Sequence, residues 1–152
     1  MGIAMEKILL DTITKHGKNM KNIKNKNKKG EKEKDHLFIN EEEKVVYYAE
    51  LKANLNLDTE KSKSTYMKCL QIKKELEDKY SGYKIQMCLV GLRYFNKDEI
   101  PRIIMNKYLN IRENVYGVDD YLSLLKLDTL RFNNESNYRY FINYVYDKLI
   151  NQ

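Results

Sequence analysis

At 152 residues, with 42% apolar and 33% charged side chains, the chain has the size and balance of one globular domain able to bury a core. No stretch approaches the roughly 20 apolar residues of a membrane span, Met1-Gly2-Ile3-Ala4-Met5-Glu6 lacks the layout of a secretory signal, and Cys69 and Cys88 make no metal-ligand spacing, which together point to a cytoplasmic protein with reduced, buried thiols. The net charge of +6 is concentrated: Lys15 to Lys34 holds nine lysines against Glu31 and Glu33, +7 locally, which leaves −1 for everything else.

The first element is a helix over 4–14, with Met5, Ile8, Leu9, Thr12 and Ile13 on one stripe and Gly17 as its stop. The lysine-rich loop 15–34 follows. Two readings compete for it: a DNA-backbone arm in which lysines such as Lys28 and Lys29 meet phosphates and release counterions, or a solvated loop. Its lack of aromatics argues against base stacking.

Residues 35–52 read as a hairpin. Asp35-His36-Leu37-Phe38-Ile39 is apolar at its centre, Asn40-Glu41-Glu42-Glu43-Lys44 is polar, and Val45-Val46-Tyr47-Tyr48-Ala49-Glu50-Leu51-Lys52 is a second strand. Alternation along the second strand puts Tyr48, Glu50 and Lys52 on one face and Val45, Tyr47, Ala49 and Leu51 on the other. Antiparallel pairing about the loop makes paired positions sum to 85. Asn40 then faces Val45, Phe38 faces Tyr47, and Asp35 faces Glu50, the last pair with Cβ atoms roughly 4.5–5.5 Å apart. Two carboxylates so placed repel unless a cation lies between them.

Asp35…Glu50-Leu51-Lys52, with the continuation Ala53-Asn54-Leu55-Asn56-Leu57-Asp58-Thr59-Glu60-Lys61-Ser62, resembles the PD-(D/E)xK nuclease superfamily, and type II restriction endonucleases in particular. The likeness is best over residues 35–95. Lys34 stands where the pattern has proline. A lone acid-x-Lys pair is otherwise an ordinary solvated strand face in a lysine-rich chain; it is the Asp35 register and the order of elements that set this one apart.

The next helix begins at Asp58 or Thr59 and runs to about Tyr80, with Cys69, Ile72, Leu76 and Tyr80 on one face and Asp58 as its cap. Ser81-Gly82 ends it. Residues 83–92 alternate and then become continuously apolar, as a buried central strand does. The strand–helix–strand step from 45–52 to 83–92 predicts a right-handed parallel crossover. Beyond it the chain reads as helical: Glu99 to Leu109 with Pro101 in the first turn, a short helix after Gly117, and a final amphipathic face of Tyr138, Phe141, Ile142, Val145 and Leu149. The whole is a single domain over 1–152, an α/β sandwich with a mixed central sheet in the order helix, hairpin, helix, strand and a helical part over 98–150. This is the order of the restriction-endonuclease-like core.

The resemblance implies a Mg²⁺-dependent endonuclease acting on double-stranded DNA, with Mn²⁺ able to substitute. Asp35, Glu50 and Lys52 would be its catalytic residues. Asp35, Glu50 and the Leu51 backbone carbonyl would hold the metal, with Glu6 as a further candidate. Magnesium suits one or two carboxylates plus phosphate oxygens, lowers the pKa of water and neutralises charge on the phosphate. Asn54, Asn56, Lys61 and Lys63, with Ser62 and Ser64, lie just beyond, where they could meet the DNA backbone. A palindromic double-strand cut implies a homodimer, and a restriction role implies a cognate DNA methyltransferase as genetic partner. The alternatives are a structure-selective repair or recombination nuclease of the junction-resolvase kind, and a non-catalytic DNA-binding protein on a nuclease-like fold. His36 reads as structural and His16 as exposed.

Overall fold

The computed structural model describes residues 2–17, 19–24 and 33–127. Lys28, Lys29, most of the lysine-rich segment and the Tyr138–Leu149 face lie outside the described residues, as do the side chains of Met5, Ile8 and His16.

Helix α1 spans Gly2–His16. Its Leu9 and Ile13, four residues apart on one face, are fully buried. Strand β1 (Lys21–Asn22) follows, then β2 (His36–Asn40) and β3 (Val45–Lys52). Helix α2 (Thr59–Lys79) leads to β4 (Lys84–Gly91). A short helix α3 (Arg102–Met105), a 3₁₀ stretch Asn106–Asn114, strand β5 (Val115–Tyr116) and helix α4 (Val118–Leu124) complete the described chain.

The five strands lie side by side in chain order. β1, β2 and β3 are mutually antiparallel, whereas β3, β4 and β5 are parallel. The β2–β3 register pairs Asn40 with Val45, Phe38 with Tyr47 and His36 with Ala49, the sum of 85 expected from the loop. In the turn, Lys44 takes a left-handed backbone (φ +59°), and the Asn40 side chain accepts from the Glu43 N–H at 3.0 Å. β3 and β4 pair along their whole length, from Val45 with Lys84 to Lys52 with Gly91.

Helices cover both faces of the sheet. On one, Leu9 and Ile13 of α1 and Tyr121, Leu122 and Leu125 at α4 pack on Phe38, Tyr47, Ala49, Leu51, Cys88 and Val90. On the other, Cys69, Ile72 and Leu76 of α2, with Ile104, Tyr108 and Ile111, pack on Leu37, Ile39, Val46, Tyr48, Met87 and Leu89. This is the alternation expected of β3. α2 is capped by Asp58, whose carboxylate accepts from the Lys61 N–H at 2.8 Å. After it, Gly82 adopts φ +88°, a turn conformation that side-chain-bearing residues rarely take. Cys69 and Cys88 are free and buried.

Two expectations need correction. The segment 15–34 is not loop throughout: α1 runs on to His16, and Lys21–Asn22 forms an edge strand against Ile39 and Phe38. The partly buried Met20 and Ile23 flank that strand, and the Ile23 N–H donates to the Leu37 carbonyl at 3.0 Å. A lysine-bearing, two-residue edge is a common way to end a sheet. The part after residue 98 is not purely helical either. Val115 and Tyr116 pair in parallel with Leu89 and Val90, because a fully buried Val115 packs well on a pleated surface. The expected 99–109 helix keeps only the α3 turn; Tyr108 (φ −124°) and Ile111 (φ −126°) leave helical geometry. Tyr108 does so while its hydroxyl donates to the Leu55 carbonyl at 2.6 Å, so a tertiary contact outweighs local propensity.

Candidate active site

β2 begins at His36, opposite Ala49, while β3 continues to Lys52 against β4. The last three residues of β3 therefore have a strand on one side only. Asp35, the residue just before β2, fills part of the other side: its Oδ2 accepts the Leu51 backbone N–H at 2.8 Å. Within a strand the N–H and C=O of one residue point toward the same neighbour. The Leu51 carbonyl thus faces the same gap as Asp35. The Lys52 carbonyl faces the opposite way and accepts the Leu92 N–H at 2.9 Å.

Glu50 projects toward α2 and is only 3% exposed. Its Oε1 accepts the Tyr48 hydroxyl at 2.8 Å and stands 3.1 Å from the Lys68 ammonium of α2. Burial raises the Glu50 pKa, and the Asp35 charge raises it further; Lys68 and the Tyr48 hydrogen bond act in the opposite direction. Glu6 of α1 is half-buried, and its pKa is raised by burial first and then by Asp35, with a smaller push from Glu50 and an opposing pull from Lys24. The Lys24 ammonium lies 3.9 Å from Glu6 Oε1. Three carboxylates from α1, the start of β2 and the end of β3 thus share one electrostatic neighbourhood. Lys52 is half-buried on the Glu50 face, and its charge is felt by the Cys69 thiol, whose pKa burial lifts to about 12.

His36 holds the arrangement together from the other face. It is fully buried, with Nδ1 2.8 Å from the Tyr121 hydroxyl and Nε2 3.2 Å from the Glu6 carbonyl oxygen. A carbonyl can only accept, so Nε2 carries the proton and Nδ1 accepts from Tyr121. Burial lowers the His36 pKa to about 4, which keeps the ring neutral. This one residue ties α1, β2 and α4 together beside Asp35, a structural role as its position in the sequence suggested.

The segment after Lys52 is also fixed. Lys107 Nζ donates to Asn56 Oδ1 at 3.0 Å and to the Leu57 carbonyl at 2.5 Å. Leu55 is fully buried and lies over Gly91, where a Cβ would come within 2.7 Å of its Cδ1. Asn54 is exposed, its Oδ1 accepting the Asn56 N–H at 2.9 Å; Lys61, Lys63 and Ser64 are exposed on α2. Ser62 does not belong with them. It is buried, and its hydroxyl donates to the Leu57 carbonyl at 3.2 Å, so it closes the helix start and faces no ligand.

The donor set fits a hard divalent cation. Asp35 has one oxygen on Leu51 N–H and Glu50 has one on Tyr48 and Lys68; the second oxygen of each carboxylate and the Leu51 carbonyl are hard donors of the type such an ion takes. Among the described residues no three of His, Cys, Asp and Glu converge into a ready-made cage. Magnesium does not ask for one, since it is held by one or two carboxylates and completes its shell with water and phosphate. The residues that sequence reasoning missed are Lys68 and Lys107. Lys68 sits one residue before the buried Cys69 on α2, but its meeting with Glu50 is a tertiary contact that local spacing does not announce.

Among the described residues, no helix is long and apolar enough to cross a membrane. In comparisons with known proteins, the chain matches no family model, no curated protein and no solved structure.

Proposed function

We propose that the chain is a Mg²⁺-dependent endonuclease that hydrolyses phosphodiester bonds in double-stranded DNA, with the Asp35–Glu50–Lys52 group as its active site and a type II restriction enzyme as its nearest functional model. One observation carries the reading: a buried, partnered glutamate and an aspartate clamped to the next residue's N–H share one end of β3, with a lysine two positions on along the same face. The order α1, antiparallel β1–β3, α2 and parallel β4 supports it, since it is the order that the resemblance to restriction endonucleases implies.

The chain's own residues divide the work. The Leu51 N–H orients the Asp35 carboxylate, and Tyr48 and Lys68 orient that of Glu50, so both acids are aimed before substrate arrives. Their mutual repulsion favours a cation between them. Bound there, magnesium supplies Lewis-acid stabilisation of the phosphate charge. Lys52 donates hydrogen bonds to the attacking water or to the developing negative charge on the non-bridging phosphate oxygens. Leu55 and Lys107 keep the backbone that follows Lys52 from moving away.

Purified protein is incubated with unmethylated phage DNA and with four-way junction DNA, in Mg²⁺ or EDTA, beside Lys52→Ala. Discrete Mg²⁺-dependent fragments, reduced at least 10²-fold in the variant, are the expected result. Selective cutting of the junction would keep the chemistry and move the protein to repair or recombination. No cutting of either DNA by folded protein would refute the assignment, and undiminished cutting by Lys52→Ala would refute the site. Light scattering with and without duplex DNA tests for the homodimer that a palindromic cut requires.

A further inference from the structure

We propose that Lys68 works in two positions: without metal its ammonium occupies the Glu50 carboxylate, and with metal bound it moves to a non-bridging oxygen of the substrate phosphate. This rests on the nuclease reading and assigns it a phosphate-contacting residue outside the Asp…Glu-x-Lys pattern.

Three observations support the move. Glu50 Oε1 already takes two donors, Tyr48 and Lys68. A divalent ion on the same carboxylate places two cations within a few ångströms of each other, and they repel. Tyr48 cannot yield, because it is fully buried and has no open path along which to swing its hydroxyl away. Lys68 can. Its side chain is 30% exposed and ends in a compact charge on a flexible four-carbon stem.

Its direction of escape is set by α2. Lys61 lies seven residues earlier, two helical turns away on the same line, and is exposed. Both lysines thus form a basic line running from solvent to Glu50. A phosphodiester reaching Asp35 and Glu50 along that line meets Lys61 first and Lys68 last. Lysine binds phosphate as a point charge and needs no fixed fork geometry, so a modest swing of the ammonium is enough.

Lys68→Met and Lys68→Arg test the proposal with binding readouts. Removing a unit charge beside a divalent ion should tighten Mn²⁺ binding in the absence of DNA roughly tenfold by calorimetry, even with water-like screening. In a Lys52→Ala background, in which turnover is slowed at least 10²-fold, Lys68→Met should weaken binding to a duplex oligonucleotide at saturating Mg²⁺. It should also reduce the slope of log K against log salt by about 1. Lys68→Arg should restore the slope. Mn²⁺ affinity unchanged or weaker in Lys68→Met overturns the competition between cations, and an unchanged salt slope overturns the phosphate contact. If the unsubstituted protein binds neither Mn²⁺ nor duplex, the nuclease reading falls and this proposal with it.

Discussion

The neutral, buried His36 makes stability depend on pH in a way that can be calculated. In the folded protein its pKa is about 4, against 6.5 for an unperturbed histidine. The unfolded chain therefore binds a proton as pH falls through 6.5, while the native state does not until about pH 4. Stability is full above pH 6.5 and is lost as pH falls between those values. At 1.36 kcal/mol per pH unit, the gap from 6.5 to about 4 corresponds to about 3 kcal/mol, of which roughly 2 kcal/mol is lost between pH 7 and pH 4.5. Urea unfolding of the metal-free protein at a series of pH values measures the total, and the same series on His36→Gln removes the carboxylate contributions common to both. The variant should be less stable at pH 7, because Tyr121 and the Glu6 carbonyl lose their shared partner, but its stability should fall less steeply below pH 6.5. Identical slopes in the two proteins would refute a neutral His36 and with it the tautomer assigned from the Glu6 carbonyl.

Tyr48→Phe removes a hydrogen bond to a buried carboxylate and should cost about 1.5–3 kcal/mol, read as a fall in Tm of roughly 2–4 °C per kcal/mol. Because that hydrogen bond lowers the Glu50 pKa, the acid limb of the cleavage profile should also move to higher pH; an unmoved limb would mean Glu50 is not the titrating acid. Gly91→Ala drives a Cβ to 2.7 Å from Leu55 Cδ1 and 3.0 Å from Tyr94. Overpacking of this kind costs about 1–3 kcal/mol, and since Leu55 anchors the backbone beyond Lys52, cleavage should fall more than the stability loss alone explains. Wild-type rates in a folded Gly91→Ala protein would show that this segment does not position Lys52.

The sequence carried the parts of this fold that are periodic. Alternation in 45–52 assigned each β3 residue to its face, the short polar loop set the β2–β3 register, and the stripe of α2 found Cys69, Ile72 and Leu76. Asp58 was legible as a cap because capping is a local hydrogen bond. What escaped was decided at a distance. β1 and β5 are two residues each, too short to show a period, and exist because β2 and β4 offer them open edges. The break at Tyr108 follows from a hydroxyl reaching Leu55, 53 positions earlier. Lys68 looked like any lysine on a helix that carries several, since only the approach of α2 to the end of β3 gives it a buried carboxylate.

The location of the candidate site follows from a mismatch in strand length. β3 outlasts β2 by three residues but stays paired with β4 to its end. An N–H left over at such a step must find a partner, as buried backbone donors nearly always do. Asp35 supplies it from the first residue after the preceding loop. A serine there could accept the same bond without charge. The aspartate instead puts a second negative charge near a buried glutamate whose own charge Lys68 offsets at 3.1 Å, so repulsion between the two acids is only partly relieved. The hydrogen bond to the Leu51 N–H therefore does not by itself call for a charged residue at position 35. Replacing Asp35 with its amide should leave the Leu51 hydrogen bond largely in place while removing repulsion, so Asp35→Asn should be at least as stable as the unsubstituted protein in EDTA and lose its response to Mg²⁺. A protein destabilised by Asp35→Asn would show that the carboxylate is held for the fold rather than for a metal.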